Sequence, residues 1–365
     1  MPFNDMYDVL HMKCSPSLRC LLVQFVLSTS LLAYSGHAFS TSGEEIITYT
    51  APKLVKGSVV VAYPVLDRIN CKEAWVDLSF MVDTKGQVFD IQVVDNSGDD
   101  AFVKQAVTAV EKARYLPASQ NGKPIEARRE LRVRFQMEGS QKGAYPKFVR
   151  RFRSLTTALK RGDLEKASRV MSRLNAMNIR NLYEDAYLNI ARFNYAAAMN
   201  QSFETQLRFL SRALDGQGQE QYIPEELYQS SLKVKFKLEI QTKDYTSALS
   251  SYRRLLKSVD AGDLPPEFGE LYKYVRGVRT SKGSYRVAGE VLQSGIYRIG
   301  LYKERFSLHD VIGDITDMKL QCSAYQVELP FQIDTEFKVP ASYGACTLFI
   351  YGSAGSTFAL QQTTV

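Results

Sequence analysis

Apolar and polar residues alternate with period two through WVDLSFMVDTKGQVFDIQVV, residues 75–94. Val76, Leu78, Phe80 and Val82 fall on one face of the first arm, and Asp77, Ser79 and Met81 on the other. After Asp83-Thr84-Lys85-Gly86 the alternation resumes, with Phe89, Ile91 and Val93 opposite Asp90 and Gln92. Period two on both arms, with Gly closing the loop, predicts a β-hairpin. A lone hairpin is marginal in water, so its apolar face needs a cover. Asn96-Ser97-Gly98-Asp99 ends the second arm and offers a helix N-cap, after which Phe102, Ala106, Val110 and Ala113 recur at helical spacing. A break at Pro117 and a turn at Asn121-Gly122 follow. Leu131, Val133, Phe135 and Met137 then alternate with Glu130, Arg132, Arg134 and Gln136. Strand, strand, helix, strand predicts a small antiparallel sheet with a helix on one face.

From Tyr145 to Thr280 the period becomes helical, and three helical hairpins are predicted. They pair Phe148–Lys160 with Leu164–Leu174, Leu182–Met199 with Phe203–Leu214, and Glu225–Gln241 with Tyr245–Leu256. Gly162-Asp163-Leu164 with Ala167, and Lys243-Asp244-Tyr245 with Ala248, resemble the mid-repeat turn of tetratricopeptide repeats, although the spacing is roughly 40 residues where that family has about 34. Such repeats imply a concave protein-binding surface; an irregular bundle is the alternative. Pro265-Pro266 opens one more helix, through Val275. Beyond Ser281-Lys282-Gly283-Ser284, short alternating runs at Arg286–Leu292, Ile296–Tyr302, Lys319–Leu329, Cys346–Tyr351 and Thr357–Gln361 predict a small β domain, sandwich or barrel.

Composition adds direction. The formal charge is +7, and roughly nine units of net positive charge lie between Tyr145 and Lys282. A solvated helical surface accounts for this; nucleic acid, anionic lipid or cell-wall polymer are the alternatives that a basic surface offers, and of these nucleic acid is not the expected partner. At the front, Lys13 and Arg19 precede CLLVQFVLSTSLLAY, and Ser35-Gly36-His37-Ala38 follows, the pattern of a secretory signal peptide over residues 1–38. An uncleaved inner-membrane anchor is the alternative. Export makes a Cys322–Cys346 disulfide the expected state of that pair, and Cys71 is expected as a buried or unpaired thiol. The mature chain keeps one histidine, His309, expected in a loop beside Asp310. One histidine leaves no His-based metal site and few nucleophile arrangements. Phosphate-loop, dinucleotide and nucleophile-elbow motifs are absent from the sequence. Asp99-Asp100 and Glu225-Glu226 fit the first turns of helices rather than acid pairs. No enzyme, cofactor or metal is expected.

The block from Tyr63 to Phe135 resembles the TonB C-terminal domain. The resemblance is carried by Tyr63-Pro64, then Val76, Leu78, Phe80 and Val82, the turn Gly86, Val88, and Val93-Val94 with Ser97. It continues through Phe102, Ala106, Pro117-Ala118, the Asn121-Gly122-Lys123-Pro124 turn and the strand ending at Phe135. It implies a periplasmic domain that binds the TonB-box peptide of outer-membrane transporters by strand addition beside its last strand. In this chain that edge comprises Ala127, Arg128, Arg129, Glu130, Leu131, Arg132, Val133, Arg134, Phe135 and Gln136. Leu131, Val133, Phe135 and Met137 would face the helix, and Arg128, Glu130, Arg132 and Arg134 would point outward to select among peptides. The chain departs from an energy transducer in having only Pro52 between Phe39 and Val61 where a Pro-rich spacer is usual.

The expected fold is multidomain α+β. A signal peptide (1–38) and a linker (39–54) precede a β-β-α-β TonB-like domain (55–140), helical hairpin repeats (141–283) and a β-rich domain (284–365). Three functions follow. One is a periplasmic adaptor that binds an envelope peptide through the TonB-like sheet and a second protein through the repeats. Another is an anchored energy transducer of variant design. The third is a scaffold whose basic repeats grip cell-wall polyanions.

Overall fold

The computed structural model describes residues 48–137, 143–215, 222–259 and 264–364. The expected signal peptide, with Cys14, Cys20, His11 and His37, lies outside the described residues. The front of the chain holds β1 (Tyr49–Thr50), β2 (Lys53–Leu54), α1 (Val65–Ile69), β3 (Ala74–Val82), β4 (Val88–Asn96) and α2 (Asp100–Glu111). Then come β5 (Tyr115–Leu116), β6 (Ala118–Gln120), β7 (Lys123–Ile125) and β8 (Ala127–Phe135). Seven helices follow: α3 (Pro146–Lys160), α4 (Leu164–Asn175), α5 (Leu182–Ala198), α6 (Phe203–Asp215), α7 (Glu225–Gln241), α8 (Tyr245–Ser258) and α9 (Pro266–Thr280). The last strands are β9 (Ser284–Glu290), β10 (Ile296–Gly300), β11 (Arg305–Ile312), β12 (Ile315–Cys322), β13 (Tyr325–Leu329), β14 (Phe337–Lys338), β15 (Cys346–Gly352) and β16 (Thr357–Thr363). Among the described residues no helix is long and apolar enough to cross a membrane.

The hairpin β3–β4 and strand β8 form an antiparallel sheet in the order β4-β3-β8. Val76, Leu78, Phe80, Val133 and Phe135 bury against Phe102, Ala106 and Val110 of α2 in one apolar cluster. Tyr63, Phe102 and Phe135 pack edge to face, with Phe102 and Phe135 centroids 4.9 Å apart. Asp99 caps α2, its Oδ1 accepting from the Ala101 amide at 3.2 Å.

Gly86 closes the hairpin at φ +79°, and a Cβ there would stand 1.8 Å from the Tyr115 carbonyl oxygen. Its own carbonyl accepts from the Tyr115 amide at 2.9 Å. Gly86→Ala therefore meets an unfavourable left-handed conformation and an immovable backbone atom together. It is expected to cost about 2–3 kcal/mol, read as a lowered urea midpoint at unchanged slope.

In the helical region α3 packs on α4, α5 on α6 and α7 on α8, and one core runs through all of them. Pro146 and Pro266 sit in the first turns of α3 and α9. Asp163, Asn181 and Asp244 each accept a backbone amide at the start of α4, α5 and α8. Lys235 and Glu239, one turn apart on α7, are buried as a pair 2.5 Å apart, with Asp215 Oδ2 3.9 Å from the same ammonium.

Burial pushes the Glu239 carboxyl up to about 7, and the Lys235 ammonium offsets only part of this. A carboxyl raised above its ordinary 4.5 supports the fold fully below pH 4.5, and that support is lost as pH rises through 7. The contribution of Glu239 to stability is thus expected to fall between pH 4.5 and pH 7. Glu239→Gln should flatten that part of a thermal-midpoint versus pH curve.

Residues 284–363 form two four-stranded sheets, β10-β15-β12-β13 and β14-β11-β16-β9, over a shared core. A disulfide joins Cys322 of β12 to its cross-strand partner Cys346 of β15. The run expected as one strand at Lys319–Leu329 is two, because the chain turns at Ser323-Ala324 and β13 folds back on β12. His309 lies in strand β11, not in a loop, because Leu308 beside it belongs to the sandwich core. Cys71 is free and exposed rather than buried.

Candidate functional site

All of the residues from Ala127 to Phe135 lie on β8, and Gln136 follows directly. Residues directly opposite in an antiparallel pair share a face. Trp75/Arg134, Asp77/Arg132, Ser79/Glu130 and Met81/Arg128 are such pairs, so they make up the sheet face turned away from α2. The alternation suggested a solvated face. The structure instead buries it: Trp75, Ser79 and Met81 are each 3 % exposed or less.

Two bodies share the covering. The helical region takes the Trp75 end. Trp75 Nε1 donates to Asp185 Oδ2 of α5 at 2.9 Å. The Arg132 guanidinium lies 3.9 Å and that of Arg212 5.5 Å from the indole ring. Arg212 also donates to the Asn96 carbonyl at 2.8 Å. The Glu73 carboxylate accepts from the Leu182 amide at the start of α5 and from the Met137 amide just past β8. Burial raises the Asp185 pKa despite the indole N–H that stabilises its charge.

The β-sandwich takes the other end. Ser79 Oγ donates to Gln321 Oε1 at 3.0 Å. Lys319 Nζ and Gln321 Nε2 donate to the two oxygens of Asp90 at 2.8 and 2.9 Å. Arg298 reaches Glu130 at 2.9 Å. Phe349, the cross-strand partner of Lys319 and Arg298, is fully buried on that same face. Asp90 is held at φ +48° in a bulge of β4, which turns its carboxylate to the sandwich. Burial would raise its pKa, but the bonds from Lys319 and Gln321 win and lower it.

Three of the outward side chains of β8, Arg128, Glu130 and Arg132, have partners within the protein. Arg132 holds Asp77 through two bonds of 2.5 Å, and Glu130 is shared by Arg128 and Arg298. These three point away from α2 and serve contacts within and between the domains. What remains unpaired is backbone. Among the described residues β8 has a strand on one side only, and its register with β3 runs unbroken from Ala127 to Phe135. The opposite edge, β4, is interrupted by two register shifts and clamped at Asp90. Bulges discourage pairing at an edge, so β8 is the better template for an added strand.

Trp75, Asp185, Arg212, Lys319 and Gln321 escaped the sequence analysis. The single tryptophan of the chain, on the nominally polar arm of a hairpin, was the available signal. Asp99-Asp100 and Glu225-Glu226 stand at helix starts, as expected: Asp99 caps α2 and also binds Lys72 at 2.7 Å, and Glu225-Glu226 opens α7. His309 bonds Ser307 Oγ at 2.8 Å and Asp334 Oδ1 at 2.5 Å rather than Asp310, and Ser307 is buried beneath this network. Among the described residues no group of His, Cys, Asp and Glu is placed to hold a metal ion.

Comparison with known proteins bears on the same segment. The family model described as Gram-negative bacterial TonB protein C-terminal matches residues 60–137. Protein TonB of Vibrio cholerae serotype O1 (strain ATCC 39315 / El Tor Inaba N16961) is 28 % identical over 88 residues, which are 24 % of this chain and 36 % of that protein. The chain thus spans about a third of the length of that curated relative. A solution NMR structure of the Pseudomonas aeruginosa TonB CTD is 22 % identical, covers 25 % of this chain and 92 % of that one, and superposes with a TM-score of 0.23. Residues 60–137 carry a module similar to the TonB C-terminal domain, joined in one chain to a helical region and a disulfide-bonded β-sandwich.

Proposed function

We propose that this chain is a TonB-like protein of the Gram-negative envelope that captures an extended peptide along β8. The supporting observation is the edge itself: nine regular residues, paired on one side, on a sheet whose two faces are both covered. Strand addition takes its affinity from backbone groups, so the commitment of Arg132 and Glu130 to other contacts does not oppose it. The TonB-box segments of outer-membrane transporters are the peptides to test first, by resemblance of residues 60–137 to the TonB family. The role is that of a non-enzymatic adaptor without cofactor. The helical hairpins act as tetratricopeptide-like repeats that engage a second envelope protein. Export through residues 1–38 places the mature chain in the periplasm.

The experiment is photo-crosslinking in whole cells, with a photoreactive amino acid in place of Arg134 or, as control, of Gln92 on β4. Crosslinks from position 134 to an envelope protein, mapping to an extended segment, support the reading. Equal crosslinking from both positions, or none from 134, contradicts it.

A further inference from the structure

The chain's positive charge is not spread evenly. Residues 146–175, the hairpin α3–α4, hold nine Lys and Arg against two acids, a surplus equal to the +7 of the whole chain. The two acids are already used: Asp163 caps α4 and Glu165 pairs with Arg169. Helix α3 has no acidic residue at all, and Lys147 and Arg150 lie near its N-terminal end. That end already carries the positive pole of the helix dipole, so cations there are placed unfavourably for the helix alone.

These charges line a groove. Lys147, Arg150, Arg151, Ser154, Val170 and Arg173 enclose a cavity of about 350 Å³ between α3 and α4. Val170 is buried at its floor, Arg151 and Ser154 are half-buried, and Lys147, Arg150 and Arg173 are exposed at the rim. Arg151 donates to the Arg173 carbonyl at 3.0 Å, in the last turn of α4, which fixes the two walls relative to each other. None of the four cations has a carboxylate partner among the described residues. Three guanidiniums and an ammonium around a hydroxyl suit a group with several charged oxygens, and their total charge exceeds what one carboxylate neutralises.

We propose that the α3–α4 groove is a binding site for a multiply charged phosphate ligand. The phosphate is either a lipid headgroup at a bilayer surface or a soluble phosphate compound. The site is separate from β8 and does not depend on the peptide reading.

The test uses the full chain at about 0.15 M ionic strength. One arm titrates inorganic pyrophosphate by calorimetry. The other measures sedimentation with phosphatidylcholine vesicles with and without phosphatidic acid. The variants are Arg150→Gln with Arg173→Gln in the groove, and Arg276→Gln with Arg279→Gln as an exposed basic control on α9. The groove variant should bind at least tenfold more weakly, with unchanged circular dichroism, and the control should bind as the parent does. Vesicle binding that pyrophosphate displaces identifies the headgroup as the source. Pyrophosphate binding without vesicle binding identifies a soluble one. Failure of both probes to bind overturns the proposal, as does an equal loss in the two variants, which would mean diffuse surface charge.

Discussion

Trp75→Ala is expected to lower the stability of the protein by about 3–5 kcal/mol, the range for emptying a large buried aromatic site. The indole is 3 % exposed, lies against two guanidiniums, and gives its N–H to a buried aspartate. Removing it opens a cavity between β3 and α5. Among the described residues it also leaves the Asp185 carboxylate with the Asn189 amide, at 3.3 Å, as its remaining side-chain hydrogen-bond donor. Trp75→Phe keeps a smaller aromatic ring and removes the donor, and should cost about 1–3 kcal/mol. The difference between the variants separates packing from the hydrogen bond. Circular dichroism through a urea titration measures both. In the parent, fluorescence of the single tryptophan should shift to the red where the module parts from the helices. A loss below about 1 kcal/mol for Trp75→Ala would show that this contact does not anchor the two bodies.

Replacing Cys322 and Cys346 together by alanine should cost about 3–4 kcal/mol, from the chain entropy of the loop that the bond closes. The effect should reach beyond the sandwich. Gln321, next to Cys322, holds Ser79 and Asp90, and the Ser323 carbonyl accepts from the Tyr49 hydroxyl at 3.1 Å. Loosening β12 therefore loosens the cover over the outer face of the β4-β3-β8 sheet. Hydrogen exchange of the double variant should rise in β12 and β15 first and then across β4. Equal stability of oxidised and reduced parent protein would contradict this.

The face of the β3–β4 hairpin that packs on α2 was legible because alternation reports one buried side. Val76, Leu78 and Phe80 needed no partner beyond Phe102 and Ala106 to be placed. Helix starts were legible for a similar reason: Asp99, Asp163 and Asp244 act within three residues of themselves. The fate of the other sheet face was not legible. Asp77 and Ser79 look like solvent-facing residues, and their burial rests on groups far along the chain, 242 residues away for Ser79 and Gln321. The Asp77–Arg132 pair emerges only once the register of β3 with β8 is known. For the same reason the partners of Arg132 and Glu130 on β8 could not be read from the alternation of that strand. Strand β11 was missed because a bulge between His309 and Ile312 breaks its alternation.

The central claim is that β8 is the open edge of a sheet covered on both faces. Hydrogen–deuterium exchange of the full chain, with and without a TonB-box peptide, tests it most directly. Slower exchange confined to Ala127–Phe135, with Val88–Asn96 at the opposite edge unchanged, is the predicted result. Protection of β4 instead, or no change in β8 at millimolar peptide, would contradict it.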